Sequence, residues 1–337
     1  GGGFDLVTIK DIAAEAQVSV TTVSRVLNNK ADVSKQTRAR ILDIIERMGY
    51  RPNNIARGLV LKKSRTIGLI IPDISNPFFP LVAKGVESAG RKCGYSVIFC
   101  DTDKRLDKER EAIDLLKDNR VDGIILSLST GNKGLLARLR EENYPLVLID
   151  NRITDTSYPT VTVNSVLSAY TAVSYLVSLG HSDIGHITGS LQSKTGEDRL
   201  TGFRTAMSDH GLEVNEDWIF EGDYTKESGY KQMKRLLRGK QRLTAVFVAN
   251  DIMAVGCYEA VFEAGLRIPD DISIIGHDGL DVFSFLRPTL TTMYQPQREL
   301  GEKAVECLIK QIEKPNDYDR RQDITLDTTL LINESTS

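Results

Sequence analysis

From Thr66 onward, short apolar runs alternate with amphipathic stretches along the whole chain. The first runs are TIGLIIP, SVIFC, VDGIILS and PLVLID, and the stretches between them are Phe79–Cys93, Lys108–Asn119 and Lys133–Asn143. Strands that are apolar on both faces belong to parallel sheets covered by helices on each side. The rhythm restarts after Pro159 with TVTV, DIGHIT, WIFEG, LTAVFV and ISIIG, separated by helices centred on Ala169, Arg204, Gln232 and Val255. Two successive doubly wound α/β units follow from this pattern, with a ligand cleft expected between them. The helix Gln297–Ile312 and a last strand near Asp323–Leu331 come after them and cross back between the units.

Residues before Thr66 have a different period. In VTIKDIAAEAQVSVTTVSRVLN a short helix carries Ile9, Ile12, Ala13 and Ala16 on one face. A turn follows at Gln17-Val18, and the Ser19 hydroxyl is placed to cap the next helix. That helix turns Val23, Val26 and Leu27 inward and leaves Val20, Thr21, Ser24 and Arg25 outside. Thr37–Met48 makes a third helix, stopped by Gly49. The spacing predicts a helix-turn-helix, whose second helix reads the DNA major groove. An ordinary small helical bundle is the alternative. Pro52 then breaks the pattern, and Ile55–Leu61, a short segment with Gly58 inside it, is too weak a helix to form unaided.

Charge supports the DNA reading. The 337 residues sum to −3, but the first 65 carry 12 Lys/Arg against 6 Asp/Glu, a net +6 that leaves −9 on the rest. A basic end on an acidic body directs only that end toward polyanions. The four cysteines (93, 100, 257 and 307) form no CxxC or His/Cys cluster, so neither a metal nor a cofactor is expected, and scattered thiols suit a reducing cytoplasm. No leader is visible and no apolar run approaches the ~18 residues of a membrane span. Gly1-Gly2-Gly3 reads as an expression scar. GxGxxG after a strand, P-loop, GxSxG and HExxH motifs are all missing, which makes the chain a binding protein and not an enzyme.

Read together, TIKDIAAEAQVSVTTVSRVLN, YRPNNIARGL, IGLIIPDISNPFF, VDGIIL, GHSDIGHITG, RLTGF, NDIMAVG, IPDDISIIGHDG and PTLTTMYQP closely resemble the lactose-repressor-type (LacI) family of bacterial transcription regulators, from Thr8 to about Leu331. The resemblance implies a homodimer on pseudo-palindromic double-stranded operator DNA. Val20, Thr21 and Arg25 match its base-reading positions, and Thr8, Ser19, Thr22, Ser24 and Asn28 its phosphate contacts, although Thr22 and Ser24 also suit a plain polar helix face. Asn53–Val60 matches the hinge helix. Leu59 then sits where the family wedges a minor-groove step open, and Asn54 and Arg57 contact the groove or backbone; a core leucine is the other reading of Leu59.

For the body, the resemblance is to periplasmic sugar-binding proteins. Asn76, Phe78, Phe79, Asp150, Arg152, Arg199, Tyr224, Asn250, Asp278 and Gln295 match cleft-lining positions. Carboxylates and amides grip hydroxyl pairs, Arg199 offers a planar fork, and aromatic faces cover a sugar ring. The set resembles ribose repressors more than purine repressors, which implies a free sugar, pentose before hexose. Plain alternatives exist for several residues: Asp278 as a turn residue, Asn250-Asp251 as a helix cap, Phe78 and Phe79 as core. Two departures from the family pattern stand out. His277 precedes Asp278 where Tyr or Phe is usual, which raises pH sensitivity behind the site, and Asn151-Arg152 follows Asp150 where Arg is usual. The ending INESTS lacks an apolar heptad, which favours a dimer over a tetramer.

The expected domains are a headpiece at 7–52, a hinge at 53–64, a first lobe at 65–150 with 280–315, and a second lobe at 151–279 with 316–332. The expected function is a cytoplasmic, sugar-controlled repressor with no membrane contact. A regulator using a co-repressor, either a metabolite such as a purine or a phosphorylated carrier protein, is the alternative, as YRPNNIARGLVLKK and IIPDISN resemble the catabolite-control branch.

Overall fold

The computed structural model describes residues 7–27, 30, 32–50, 63–128, 133–151, 153, 158–239, 243–314 and 323–337. The chain divides into two compact units, Gly1–Ser64 and Arg65–Ser337. The hinge segment Asn53–Val60 falls outside the described residues.

The first unit is built on α1 (Ile9–Glu15), α2 (Val20–Leu27) and α3 (Lys35–Arg47). Each start is fixed by a side chain that satisfies otherwise orphaned backbone donors. The Thr8 N–H and hydroxyl both donate to the Asp11 carboxylate, at 2.8 and 2.7 Å. Ser19 Oγ accepts from Thr22 N–H at 3.1 Å, as expected from sequence, and Ser34 Oγ accepts from Thr37 N–H at 3.2 Å. Gln17, at φ 50°, makes the turn between α1 and α2. Ile12, Ala13, Ala16, Val23, Val26, Ile41 and Ile44 form the core of the unit, with Ile9 and Leu27 packed against it.

The second unit holds two six-stranded sheets. In chain order its elements are β1 (Thr66–Ile71), α4 (Phe78–Lys92), β2 (Ser96–Asp101), α5 (Leu106–Asp118), β3 (Ile124–Leu126), α6 (Lys133–Glu141), β4 (Leu146–Ile149), β5 (Thr160–Val163), α7 (Ser165–Ser178), β6 (Ile184–Thr188), α8 (Lys194–Asp209), β7 (Ile219–Glu221), α9 (Lys226–Leu237), β8 (Ala245–Val248), α10 (Asp251–Glu263), β9 (Ser273–Asp278), β10 (Thr291–Tyr294), α11 (Gln297–Glu313), β11 (Ile324–Leu326) and β12 (Thr329–Leu331). The sheet orders are β11-β5-β4-β3-β1-β2 and β12-β10-β9-β8-β6-β7. All pairings are parallel except β10 with β12. The α/β class with two doubly wound sheets is as expected.

The lobe limits differ from the sequence reading. TVTV does not open the second sheet: β5 pairs in parallel with β4, Leu148 opposite Thr160, and completes the first. Likewise β10, within 280–315, belongs to the second sheet, and β11, within 316–332, to the first. These short strands sit beside the points where the chain changes sheet, so their apolar pattern says nothing about which sheet they join. The chain passes between lobes three times, at Val163–Ser165, Tyr294–Gln297 and Leu326–Thr329.

α11 packs closely on α4 in the first lobe, at two glycines. A methyl group on Gly85 would lie 2.1 Å from the Arg298 carbonyl oxygen, and one on Gly301 would lie 2.3 Å from that of Val82. Backbone cannot yield as a side chain does, so Gly301→Ala is expected to cost about 1–3 kcal/mol by overpacking. Urea unfolding of the full chain checks this; an unchanged midpoint would mean that the helices have room to part.

Candidate functional site

In the first unit, α2 presents Val20, Thr21 and Arg25 to solvent while Val23 and Val26 are buried. Thr22 and Ser24 are half-buried, and Thr22 Oγ1 shares a 2.8 Å hydrogen bond with Ser19 Oγ. Thr8 and Ser19 are exposed at the starts of α1 and α2. Arg25 is 3.0 Å from Asp32 in an exposed ion pair of a kind worth no more than about 1 kcal/mol, so it is readily exchanged for another acceptor. Asn28, Asn54, Arg57 and Leu59 lie outside the described residues, as does Arg152.

In the body, the C-terminal ends of both sheets line one cavity of about 260 Å³. The first lobe contributes Pro72, Asn76, Phe78 and Phe79 after β1, Lys104 after β2, Ser127 and Leu128 after β3, and Asp150 and Asn151 after β4. The second contributes Ser190, Gln192 and Ser193 after β6, Thr195 and Arg199 on α8, Asp223 and Tyr224 after β7, Asn250 after β8, Asp278 at the end of β9 and Gln295 after β10. Nine of the ten cleft residues expected from sequence therefore meet in one place, the tenth being Arg152.

Several of these residues do two jobs, which resolves the alternatives left open above. Asn250 Oδ1 caps α10 by accepting from Met253 N–H at 3.0 Å, and the residue also faces the cavity. Phe78 and Phe79 meet edge-on with ring centroids 5.2 Å apart, belong to the first-lobe core, and close one wall. Asp278 is the last residue of β9, not a turn residue, though at φ 126° its backbone is unusual, and its side chain lines the cleft. Tyr224, at φ 67°, holds Ser193 Oγ at 3.1 Å and fits only because residue 189 is glycine, where a methyl group would lie 2.0 Å from its ring.

Four cleft residues join the two lobes: Thr195, Lys104 and Asp223, which sequence reasoning did not single out, and Asn151, which it noted only as a departure from the family pattern. Asn151 Nδ2 donates to the Leu128 carbonyl at 3.0 Å, while its Oδ1 accepts from the Lys194 N–H of α8 at 3.0 Å. The amide is thus occupied with holding the lobes together. Thr195 Oγ1 donates to the Asp150 carbonyl at 3.4 Å. At the rim, Lys104 pairs with Asp73 at 3.2 Å and donates to the Asp223 carbonyl at 3.3 Å. Lys104 and Asp103, at φ 59° and 49°, put consecutive non-glycine residues in the left-handed region. For Lys104 and Asp223 only their place after a strand gave a hint, and for Thr195, on α8, nothing did.

Charge is concentrated on the floor. Arg199 is 2% exposed; its guanidinium donates to the Ala249 carbonyl and leaves Nε without a partner. Ser127 Oγ and Gln295 Oε1 are likewise buried and unpartnered. Gln295 Nε2 donates to Asp278 Oδ1 at 2.7 Å. Burial pushes the Asp150 carboxyl up to about 6, against the pull of Arg199 and with added repulsion from Asp278. Burial raises Asp278, against the pull of Arg199 and the Gln295 hydrogen bond, and burial together with repulsion from Asp278 raises Asp251. His277, whose Nε2 is 2.7 Å from Ser168 Oγ, is held well below its ordinary range by burial and by Arg199, so it stays neutral. The pH sensitivity expected at His277 therefore belongs to the carboxyls. Among the described residues no group of His, Cys, Asp and Glu is arranged to hold a metal ion, and no helix is long and apolar enough to cross a membrane.

These groups set a pH dependence of stability. A carboxyl raised from 3.8 to about 6 binds its proton more tightly folded than unfolded, so its contribution is full below pH ~4 and is lost as pH rises toward 6. His186, lowered to about 4 by burial, has the opposite slope in the same window. The comparison that isolates Asp150 is Asp150→Asn. Relative to wild type, the ligand-free variant should gain stability from about pH 4 to 6 and level off above that in denaturant titrations; a constant difference across the range would mean that Asp150 keeps an ordinary carboxyl.

Known proteins share both units. Residues 8–53 match the family model of bacterial regulatory proteins of the lacI family, and residues 173–336 match a periplasmic binding protein-like domain. An HTH-type transcriptional repressor PurR from Aliivibrio salmonicida is 38% identical over 94% of this chain and 95% of its own length. Catabolite control protein A from Priestia megaterium is 37% identical over 91% and 93%. A lac repressor dimer bound to operator and the anti-inducer ONPF superposes with a TM-score of 0.90 at 28% identity, covering 98% and 99%. A LacI family transcriptional regulator from Enterococcus faecium with bound ribose gives 0.72 at 29% identity, over 81% and 98%. Likeness that runs nearly end to end, through a helix-turn-helix and a two-lobed body alike, makes this chain a member of the lacI family of bacterial regulatory proteins.

Proposed function

We propose that this regulator is a repressor that binds operator DNA as a homodimer and is controlled by a small uncharged sugar, a pentose such as ribose, held in the cleft between the body's lobes. The observation that carries the effector reading is the set of unmet polar atoms around Arg199. Arg199 Nε, Gln295 Oε1 and Ser127 Oγ are buried without partners, and they approach the cavity from both lobes. A buried donor or acceptor left unpaired costs about 1–3 kcal/mol, so a ligand rich in hydroxyls, each both donor and acceptor, is the natural complement. The cavity of about 260 Å³ lies below the ~300–1,000 Å³ of drug-sized sites. Its lining has Asp150, Asp223 and Asp278 against Arg199 and Lys104, so it offers no net positive charge to a phosphate. The ribose-bound Enterococcus faecium regulator supports the same class.

On the DNA side, Val20, Thr21 and Arg25 contact base edges, with Arg25 making a bidentate pair to guanine in place of Asp32. Thr8, Ser19, Thr22, Ser24 and Asn28 contact phosphates, and Asn54, Arg57 and the Leu59 wedge contact the minor groove. The lac repressor dimer on operator supports the dimeric assembly. A regulator that works on DNA acts in the cytoplasm. Effector binding changes the spacing of the lobes, and through it the hinge segments and operator affinity; the ligand acts only through its different affinity for the two states.

A second reading has specific support. Near-full-length relatives are named PurR and Catabolite control protein A, which favours a co-repressor: a purine, or a phosphorylated carrier protein acting with or without a metabolite. Calorimetry separates the readings. D-ribose should bind with measurable heat while hypoxanthine, guanine and ribose 5-phosphate should not, and Arg199→Ala should abolish that heat. Heat with a purine alone, or none with any small molecule and tighter DNA binding with the carrier protein, would overturn the sugar reading.

A further inference from the structure

Asp251 lies one residue beyond the cap of α10 and does not line the cavity. It is 1% exposed, and its carboxylate points away from its own helix to the turn that follows β9. Oδ2 accepts from the Leu280 N–H at 2.9 Å, and Oδ1 accepts from Thr292 Oγ1 at 2.6 Å. The Thr292 hydroxyl accepts in turn from the Gly279 N–H at 3.3 Å. Gly276 leaves room for the carboxylate: a methyl group there would lie 2.4 Å from Asp251 Oδ1. The turn held in this way is strained. Asp278 sits at φ 126°, and Gly279, at φ 71°, backs onto Tyr294, where a methyl group would lie 2.7 Å from its Cα. Such backbone persists only where its surroundings impose it. Leu280 then buries its side chain in the first-lobe core.

We propose that Asp251 is the positioning residue for Asp278: by holding Leu280 and Thr292 from behind, it aims the Asp278 carboxyl into the cleft and couples that aim to the first lobe. This rests on the reading of Asp278 as an effector contact. Leu280 N–H and the Thr292 hydroxyl each offer Asp251 a hydrogen, so both carboxyl oxygens act as acceptors here. Asparagine has the same shape but turns an NH2 toward an N–H or an O–H. The charged and titratable groups around the pair are Arg199 from α8, Asp150 after β4, Tyr224 after β7, His277 beside Asp278 on β9, and Tyr258 on α10.

The test uses the full chain with Asp251→Asn, Thr292→Val and Thr292→Ser. In ligand-free protein, hydrogen exchange at the Leu280 amide and carboxyl-carbon NMR of Asp278 are followed against pH. In Asp251→Asn, protection of Leu280 should fall by about tenfold or more. The Asp278 carboxyl should titrate at higher pH, because it is turned away from the Arg199 charge and the Gln295 hydrogen bond that hold it down. D-ribose should bind about tenfold more weakly or worse. Thr292→Ser, which keeps the hydroxyl, should match wild type, and Thr292→Val should follow Asp251→Asn. If Asp251→Asn does not fold, Thr292→Val carries the same readouts. Unchanged Leu280 protection and an unchanged Asp278 titration in the folded variants overturn the proposal. A wild type that gives no heat with D-ribose counts against the pentose reading alone, since the two ligand-free readouts still decide this one.

Discussion

A guanidinium cannot lose its proton, so Arg199, buried to 2% exposure, must be compensated where it stands. Compensation comes from Asp150, which follows β4 in the first lobe, and from Asp278, which ends β9 in the second. One buried cation therefore binds both lobes electrostatically. It also accounts for the floor of the cleft: two carboxyls are tolerable there because of Arg199, yet burial keeps both raised, and His277 beside them stays neutral for the same reason. Removing one partner of such a group leaves an uncompensated charge, which costs more than the pair itself contributes. A ligand that satisfies these charges with hydroxyls stabilises the arrangement and the lobe spacing that goes with it.

The three crossings between sheets give this charge its mechanical consequence. Every strand that supplies the cleft ends at it, and the segment carrying Asp278 continues into Leu280 in the first-lobe core and, beyond β10, into α11 packed on α4. Gln297, the first residue of α11, donates to the Asp278 carbonyl at 2.6 Å. Contact with Asp278 is thus contact with the framework of the opposite lobe. Asn151, held by Leu128 on one side and Lys194 on the other, makes a second such link.

Much of this was legible from the sequence, for a physical reason. The resemblance to periplasmic sugar-binding proteins named Asn76, Asp150, Asn250 and Asp278 before any coordinates, and their places after apolar strands agree with where a parallel sheet presents its ligand edge. The headpiece was equally readable, since the Ser19 cap and the period of Ile12, Val23 and Val26 follow helix geometry alone. The lobe limits were not: TVTV looks the same whether it opens one sheet or closes another, and only the pairing of Leu148 with Thr160 decides. Nor were the roles of Asn151, Lys104 and Asp251. Asn-Asp before a helix reads as a cap, and the cap is Asn250; that Asp251 reaches a turn 29 residues away is a tertiary fact.

The central claim is that occupancy of the cleft by a free sugar governs operator affinity, and it is tested most directly by titrating a labelled duplex, selected from random sequence for tight binding, with the full chain in the presence and absence of saturating D-ribose. The account predicts that D-ribose weakens binding by about 5–150-fold, the range of ordinary allosteric coupling. Affinity that is unchanged by D-ribose, or raised by a purine in its place, would contradict it.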